Sequence, residues 1–489
     1  MSAGANGIFV GGQASQNASA VISTFSGGIS NSGTISAGAA GILVGSRSGF
    51  GTAVSTFAGG ISNSGKISAR GDGILIGGQA AGSNTPVIVS SFSGGISNTG
   101  TISAGGYGIA VSNVAVFADT QAGGITNSGT IRARRAGIFV GGLADTAHGS
   151  VAASAFAGSV SNGGTISGSG IAIFVGGQAG AGESVTLSMF SGGIANSGTI
   201  AGSSAPVPAA RRPWASMVRS GPAILVGGRA ASGASVTLLA FSGGIRNNRT
   251  ISAGGNGIVV GGRSTGTGAS VTISNFSGGI SNGGKIAAGF NGIMVGGTAN
   301  SNASVAISTF AGGITNTGMI SVSGAGIFIG DNSHNGAATV SSFSGGINNR
   351  GSISAGDTGI GIFDVGLFAD GIKNTGKVTA GSSGILVVDV ATFTGDVSNT
   401  GTVSARNNGI DIRDGETFSG GITNSGKIAA GGLGIAVTGT TSFGSAGAGG
   451  ITNSGAIAAA RGGILVEAVP TFADGIDNSG MISAGNQGG

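Results

Sequence analysis

A chain of 489 residues with 108 Gly but only 22 Phe, one Tyr and one Trp cannot fill the thick core of a globular domain of that length. Charged residues make up 8% and the formal net charge is +5, scattered apart from Arg132–Arg135 and the stretch near Arg211, so no nucleic-acid interface is expected. Cys is absent, which removes disulfides and thiolate metal sites, and no apolar run approaches the ~20 residues of a membrane-spanning helix.

The chain opens in mid-repeat: Met1 to Ile8 aligns with Ile251 to Ile258, and no basic-then-apolar leader precedes it. The first whole unit is Phe25-Ser26-Gly27-Gly28-Ile29-Ser30-Asn31-Ser32-Gly33-Thr34-Ile35, and it recurs fifteen times, from Asn31 to Asn478. Ile lies two residues before each Asn, or Val at Val160 and Val397, and Ile or Val lies four after it. Gly stands two after the Asn in every copy but one, where Arg249 replaces it. Phe25, Gly27, Ile29, Asn31, Gly33, Ile35 and Ala37 occupy every second position, which is the period of a strand with one packed face. A second strand signal follows each unit, as in Gly41-Ile42-Leu43-Val44 and Gly409-Ile410-Asp411-Ile412. The shortest period is 25 residues, Asn349 to Asn374 to Asn399, enough for three short strands and three corners.

These features predict an all-β chain wound into a parallel β-solenoid of about fifteen coils of 25–35 residues. Stacking at about 4.8 Å lets each Asn donate to the next and lets Phe rings pile in the bore. The Gly after the Asn suits a corner with positive φ. From 1 to 349 most coils are wide, 32–35 residues, and the surplus between the GIxV strand and the Phe alternates as a strand does, which predicts a ledge of extra sheet. From 350 to 489 the coils narrow to 25–29 residues. One insertion, 201–221, holds the only Trp, Trp214, and with Pro222 four of the six Pro. Pro cannot donate to a ladder, so this stretch reads as a bulging loop, either a recognition loop anchored by Trp214, or a tolerated insertion or a stretch of disturbed reading frame.

Asp331, Asp364, Asp389 and Asp414 each lie four residues after the first Ile of the GIxV strand in four successive coils. Stacked carboxylates repel unless solvated or bridged by a cation such as Ca²⁺. The simpler reading is that Asp replaces Gly in a turn, because it bonds its own backbone and tolerates the left-handed conformation. The densest set of charges is Asp411, Arg413, Asp414 and Glu416, with Asp411 and Arg413 expected on the solvent face of one strand. A polysaccharide lyase or hydrolase needs acids converging from two sides of a sugar bond, and no second cluster faces these four. His148 and His334 fall on inserted arms and read as solvated. No catalytic, cofactor-binding or metal-ligating residue is therefore assigned.

The alternation of GGITNSGTI, GGISNSGKI and SAGGNGIVV resembles the passenger regions of Gram-negative autotransporters, the type V secretion proteins, over essentially the whole chain except 203–221. The resemblance implies a right-handed, three-sheet parallel β-helix carried to the cell surface by a C-terminal membrane β-barrel, often serving adhesion. Neither barrel strands nor a leader stands within the chain, so an extracellular, outer-membrane-associated location is expected only as a segment of a longer protein. The function expected is a structural, adhesin-like stalk without enzymatic activity, with the polysaccharide-acting β-helix enzyme as the alternative. An ice or crystal binder would need an unbroken Thr lattice, and the outward column reads Thr34, Lys66, Thr101, Thr130 and later Lys285 and Met319. Expected partners are host or surface glycans or proteins, or other copies of the chain, and no nucleic acid.

Overall fold

The structure, a computed structural model, describes residues 2–11, 20–46, 52–78, 88–118, 123–144, 151–202, 221–333, 335–445 and 449–485. Among these residues there is no helix, and every strand pairs parallel to the equivalent strand one coil away. The result is a β-solenoid of about fifteen coils, wound in the right-handed sense that parallel connections take. At about 4.8 Å per coil the rod is roughly 70 Å long.

Each coil contributes to four ladders rather than three. Among the described residues one sheet has 16 strands and the other three have 15 each. The stretch read as one long alternating segment is cut twice. A strand ends at Phe25, a three-residue strand spans Ile29–Asn31, and a third spans Thr34–Ala37. The GIxV strand, Ile42–Ser46 in this coil, supplies the fourth ladder. The cuts fall at Gly27-Gly28 and Ser32-Gly33, where residues without bulk let the chain turn the corner. Alternation survives across the corners, with Ile29 and Asn31 buried and Ser30 exposed, then Ile35 buried and Thr34 exposed.

Register is one-to-one along the columns. Asn98 pairs with Asn127 and Asn63, and Phe92 pairs with Phe117 and Phe57. Identical side chains therefore lie directly above one another, and two kinds of stack follow. Fifteen Phe rings pile up with centroids 4.3–5.2 Å apart and planes within 14° of parallel. Beside them the fifteen Asn form an unbroken amide chain, each Nδ2 donating to the Oδ1 of the next coil at 2.7–2.8 Å. Asn residues are costly to bury unless bonded, and here most of the amides also reach a corner carbonyl, as Asn282 Nδ2 does to Gly284 O at 3.3 Å.

The Asn chain carries a quantitative expectation. Asn282→Leu leaves Asn247 Nδ2 without its 2.7 Å acceptor and Asn316 Oδ1 without its donor, both in the bore. The stranded Asn316 Oδ1, with an Asn247 amide left only its longer bonds to Arg249 O and Lys285 O, predicts a loss of about 1–3 kcal/mol, read as a lower urea midpoint. A midpoint within error of the parent's would show that the column is packing alone.

The Gly two residues after each Asn does not work as expected. None of these glycines has positive φ. What excludes a side chain is the coil below: a Cβ on Gly65 would lie 2.0 Å from Gly33 O. Arg249 occupies this position in one coil, and the ladder gives way there. Thr250 N reaches Gly198 O at 3.2 Å, against 2.8 Å for Lys66 N to Gly33 O, and the next bond, Lys285 N to Arg249 O, shortens to 2.6 Å.

The surplus of the wide coils is strand. Ile224–Ala230 and Ser235–Phe241 have seven residues each and are joined by a tight turn in which Ala234 N donates to Ala231 O at 2.9 Å. Between such pairs lies a small separate core of Ala and Val, including Ala230, Val236, Val271 and Val305. The strand passes from bore to ledge through a Gly three residues after its first Ile. Gly176, Gly227 and Gly261 hold φ of +134° to +138° there, a conformation closed to other residues. In narrow coils the chain instead turns one residue later in the left-handed region, at Asn113, Asp364, Asp389, Asp414, Gly439 and Ala468, with φ from +52° to +65°.

Candidate functional site

The acidic column is explained by that corner. Asp364, Asp389 and Asp414 take φ of +53°, +52° and +57°, where Asp and Asn are among the few tolerated side chains. Asp331 differs: it ends the strand Ile327–Asp331, and its Oδ1 accepts from Ser333 N at 2.7 Å. Among the described residues no three His, Cys, Asp or Glu converge as a metal-binding group.

Stacking still leaves an electrostatic signature. Partial burial, then the carboxylates of Asp389 and Asp331, push the Asp364 pKa above its ordinary value. A folded-state pKa raised above the unfolded one means that the native state binds the extra proton. Stability is then lost as pH rises through the carboxylate range and regained on acidification. The melting temperature of the parent is expected to gain more between pH 7 and pH 4 than that of Asp364→Asn, which keeps the turn but cannot titrate. Equal gains in the two proteins would remove Asp364 from the account.

The other charged cluster is rearranged. Asp411 is 4% exposed and so does not share a solvent face with the exposed Arg413. It lies between Leu386 and Ala436 of the adjoining coils, and Asn408 Nδ2 donates to its Oδ2 at 3.0 Å. It is a satisfied buried carboxylate. Trp214, Arg211, His148 and His334 lie outside the described residues.

A different site emerges on the outer face of the GIxV sheet. Ile42 and Val44 point into the bore, while Leu43 points outward yet is fully buried. The same holds for Leu75, Phe139, Phe174, Leu225 and Met294, which form a second apolar cluster with Ala40, Tyr107, Ala136 and Ile171 from the preceding corners. The corner folds over one side of this face and the ledge rises on the other. Between them is a cleft of about 700 Å³ spanning five successive coils.

Its walls are basic. Arg135 projects from one corner and places its guanidinium 5.5 Å over the Tyr107 ring, whose backbone N donates to Asp72 Oδ1 at 2.8 Å. From the ledge side come Arg229 and Arg263, which are direct Cα partners in adjacent coils and both half-buried. Burial, then the neighbouring Arg263, lower the Arg229 pKa from its usual value, and burial pushes the Tyr107 hydroxyl up against the opposing pull of Arg135. No Asp or Glu is among the described residues lining the cleft. Across Arg134 a second cleft, of about 740 Å³, carries Arg70 and Arg132 over rows of Ser and Ala.

Two signals in the sequence point here. The outward residue of GIxV is apolar in most coils, so these strands read as nearly continuous apolar runs, the mark of a strand covered on both faces. The charge is also divided: residues 1–330 hold 14 Lys and Arg against 4 Asp and Glu, while residues 331–489 hold 7 against 12. A net of +5 conceals a basic part of about +10 and an acidic part of about −5. Searches with the chain find no matching protein-family model, no matching curated protein and no matching solved structure.

Proposed function

We propose that this chain is a structural passenger displayed at the cell surface, an adhesin-like stalk belonging to a longer autotransporter. It acts without catalysis, by many weak contacts along its repeated polar face, with host or surface glycans and proteins or other copies of the chain as partners. The observation supporting this reading is the register itself. One-to-one stacking repeats the same outward Thr, Ser and Lys positions, as in Thr34, Lys66, Thr101 and Thr130, about every 4.8 Å along the rod. A surface of that kind gains affinity by linkage, about 10²–10⁴-fold over a single contact.

The test is binding of the intact chain to surfaces bearing a neutral glycan at graded density. Apparent affinity is expected to climb more than about tenfold from sparse to dense coating, as multivalency requires. A flat dependence on density, or release of new reducing ends from a polysaccharide incubated with the chain, would overturn the reading.

A further inference from the structure

We propose that the cleft between the Tyr107 corner and the Arg229–Arg263 ledge binds the carboxylate or sulfate groups of an acidic oligosaccharide. This site is discrete and does not depend on the multivalent polar face. The cleft spans five coils, so its long axis follows the rod for about 20 Å, the reach of several sugar rings rather than one small ion. Ile171 and Phe174 form its apolar floor, and Arg135, Arg229 and Arg263 stand around it.

Arg229 and Arg263 stack in register, and like charges directly opposite on neighbouring strands destabilise a sheet. An anion seated beside them offsets that repulsion and gains charge-assisted hydrogen bonds from the Arg229 guanidinium fork. Their half-buried setting weakens solvent screening, so the gain per bond exceeds that at an open surface. Arg135 is already oriented by the Tyr107 ring and loses little freedom on engaging a second anionic group. The aromatic surface argues against a nucleic acid. Of the aromatic residues among the described lining, Phe174 is 2% exposed and Tyr107 lies beneath Arg135, so neither ring offers an open face for a base to stack on.

The experiment is titration of the intact chain with a galacturonic acid hexamer, a neutral galactose hexamer and a dT6 oligonucleotide, at 50 and 200 mM NaCl. The parent is expected to bind the acidic hexamer with 1:1 stoichiometry, more weakly at the higher salt, and to ignore the neutral one. Arg229→Gln/Arg263→Gln is expected to lose at least about tenfold in affinity, and Arg406→Gln/Arg461→Gln, in the acidic part of the rod, none. Melting curves matching the parent's show that the variants fold. Should the first double variant unfold, Arg135→Gln on the opposite wall carries the test, with a loss of several-fold expected. No binding of the acidic hexamer, equal loss in both double variants, or tighter binding of dT6 would overturn the proposal.

Discussion

Gly227→Ala is expected to disrupt the ledge at the centre of the wide coils, at a cost of at least about 4 kcal/mol. The residue holds φ +134°, and an added Cβ would lie 1.6 Å from Gly261 O in the adjoining coil. Rotating to an allowed φ would misdirect the strand from Gly228 to Ala230. Keeping φ would force two ladder strands apart and break their bonds. Neither escape is local, because Gly227 pairs with Gly176 on one side and Gly261 on the other, and both have the same geometry. Amide exchange should show protection lost in the strands Ile173–Ala179 through Ile258–Thr265, while the bore strands around Asn247 stay protected. A destabilisation under about 1 kcal/mol would mean that the passage into the ledge relaxes more readily than its close contacts allow.

Phe241→Ala is expected to be of similar size for a different reason. Its ring is fully buried between Phe190 and Phe276, each 4.9 Å away centroid to centroid. Removing it leaves a void bounded by two rings that are held in place by their own strands, so the gap cannot close. The cost for such a site is about 3–5 kcal/mol. In a solenoid each coil touches chiefly its neighbours, and a weakened coil uncouples the two sides. Unfolding in urea should therefore separate into two steps where the parent shows a sharper one. Phe472→Ala is the comparison: that ring is only partly buried and stacks on Phe443 alone, at 5.2 Å, so its loss should matter less and leave the transition shape unchanged. A single sharp transition for Phe241→Ala would argue that the bore transmits stability over more than nearest neighbours.

The fold was legible because the sequence repeats its inward residues faithfully. Phe, Ile and Asn at fixed offsets announce alternation, and their repetition in fifteen copies announces stacking. The number of ladders was less legible, since the period of two runs unbroken from Phe25 to Ala37 although the backbone turns twice within it. The Gly after each Asn was assigned the wrong duty: its composition signals a missing Cβ, and sequence alone cannot tell a positive φ from a crowded neighbour. Asp411 was misplaced for a related reason. Alternation put it correctly on the outer face, but that face is covered, which depends on how the corner at Asn408 folds back. The Arg229–Arg263 cleft was hidden because its walls come from residues more than a hundred positions apart, Tyr107 and Arg263, brought together only by counting coils.

The amide chain down the bore has one further consequence. Every Nδ2 points toward the later coil and every Oδ1 toward the earlier one, so the small dipoles add along the axis instead of cancelling, and each polarises the next. The column is electropositive toward its late end, much as a helix is toward its first turn. Formal charge is distributed the opposite way, with the acidic residues gathered beyond position 330. Internal and surface fields therefore oppose each other along the rod, and moving acidic side chains from the late coils to the early ones would set them in the same direction, at a cost in stability that leaves every packing contact untouched.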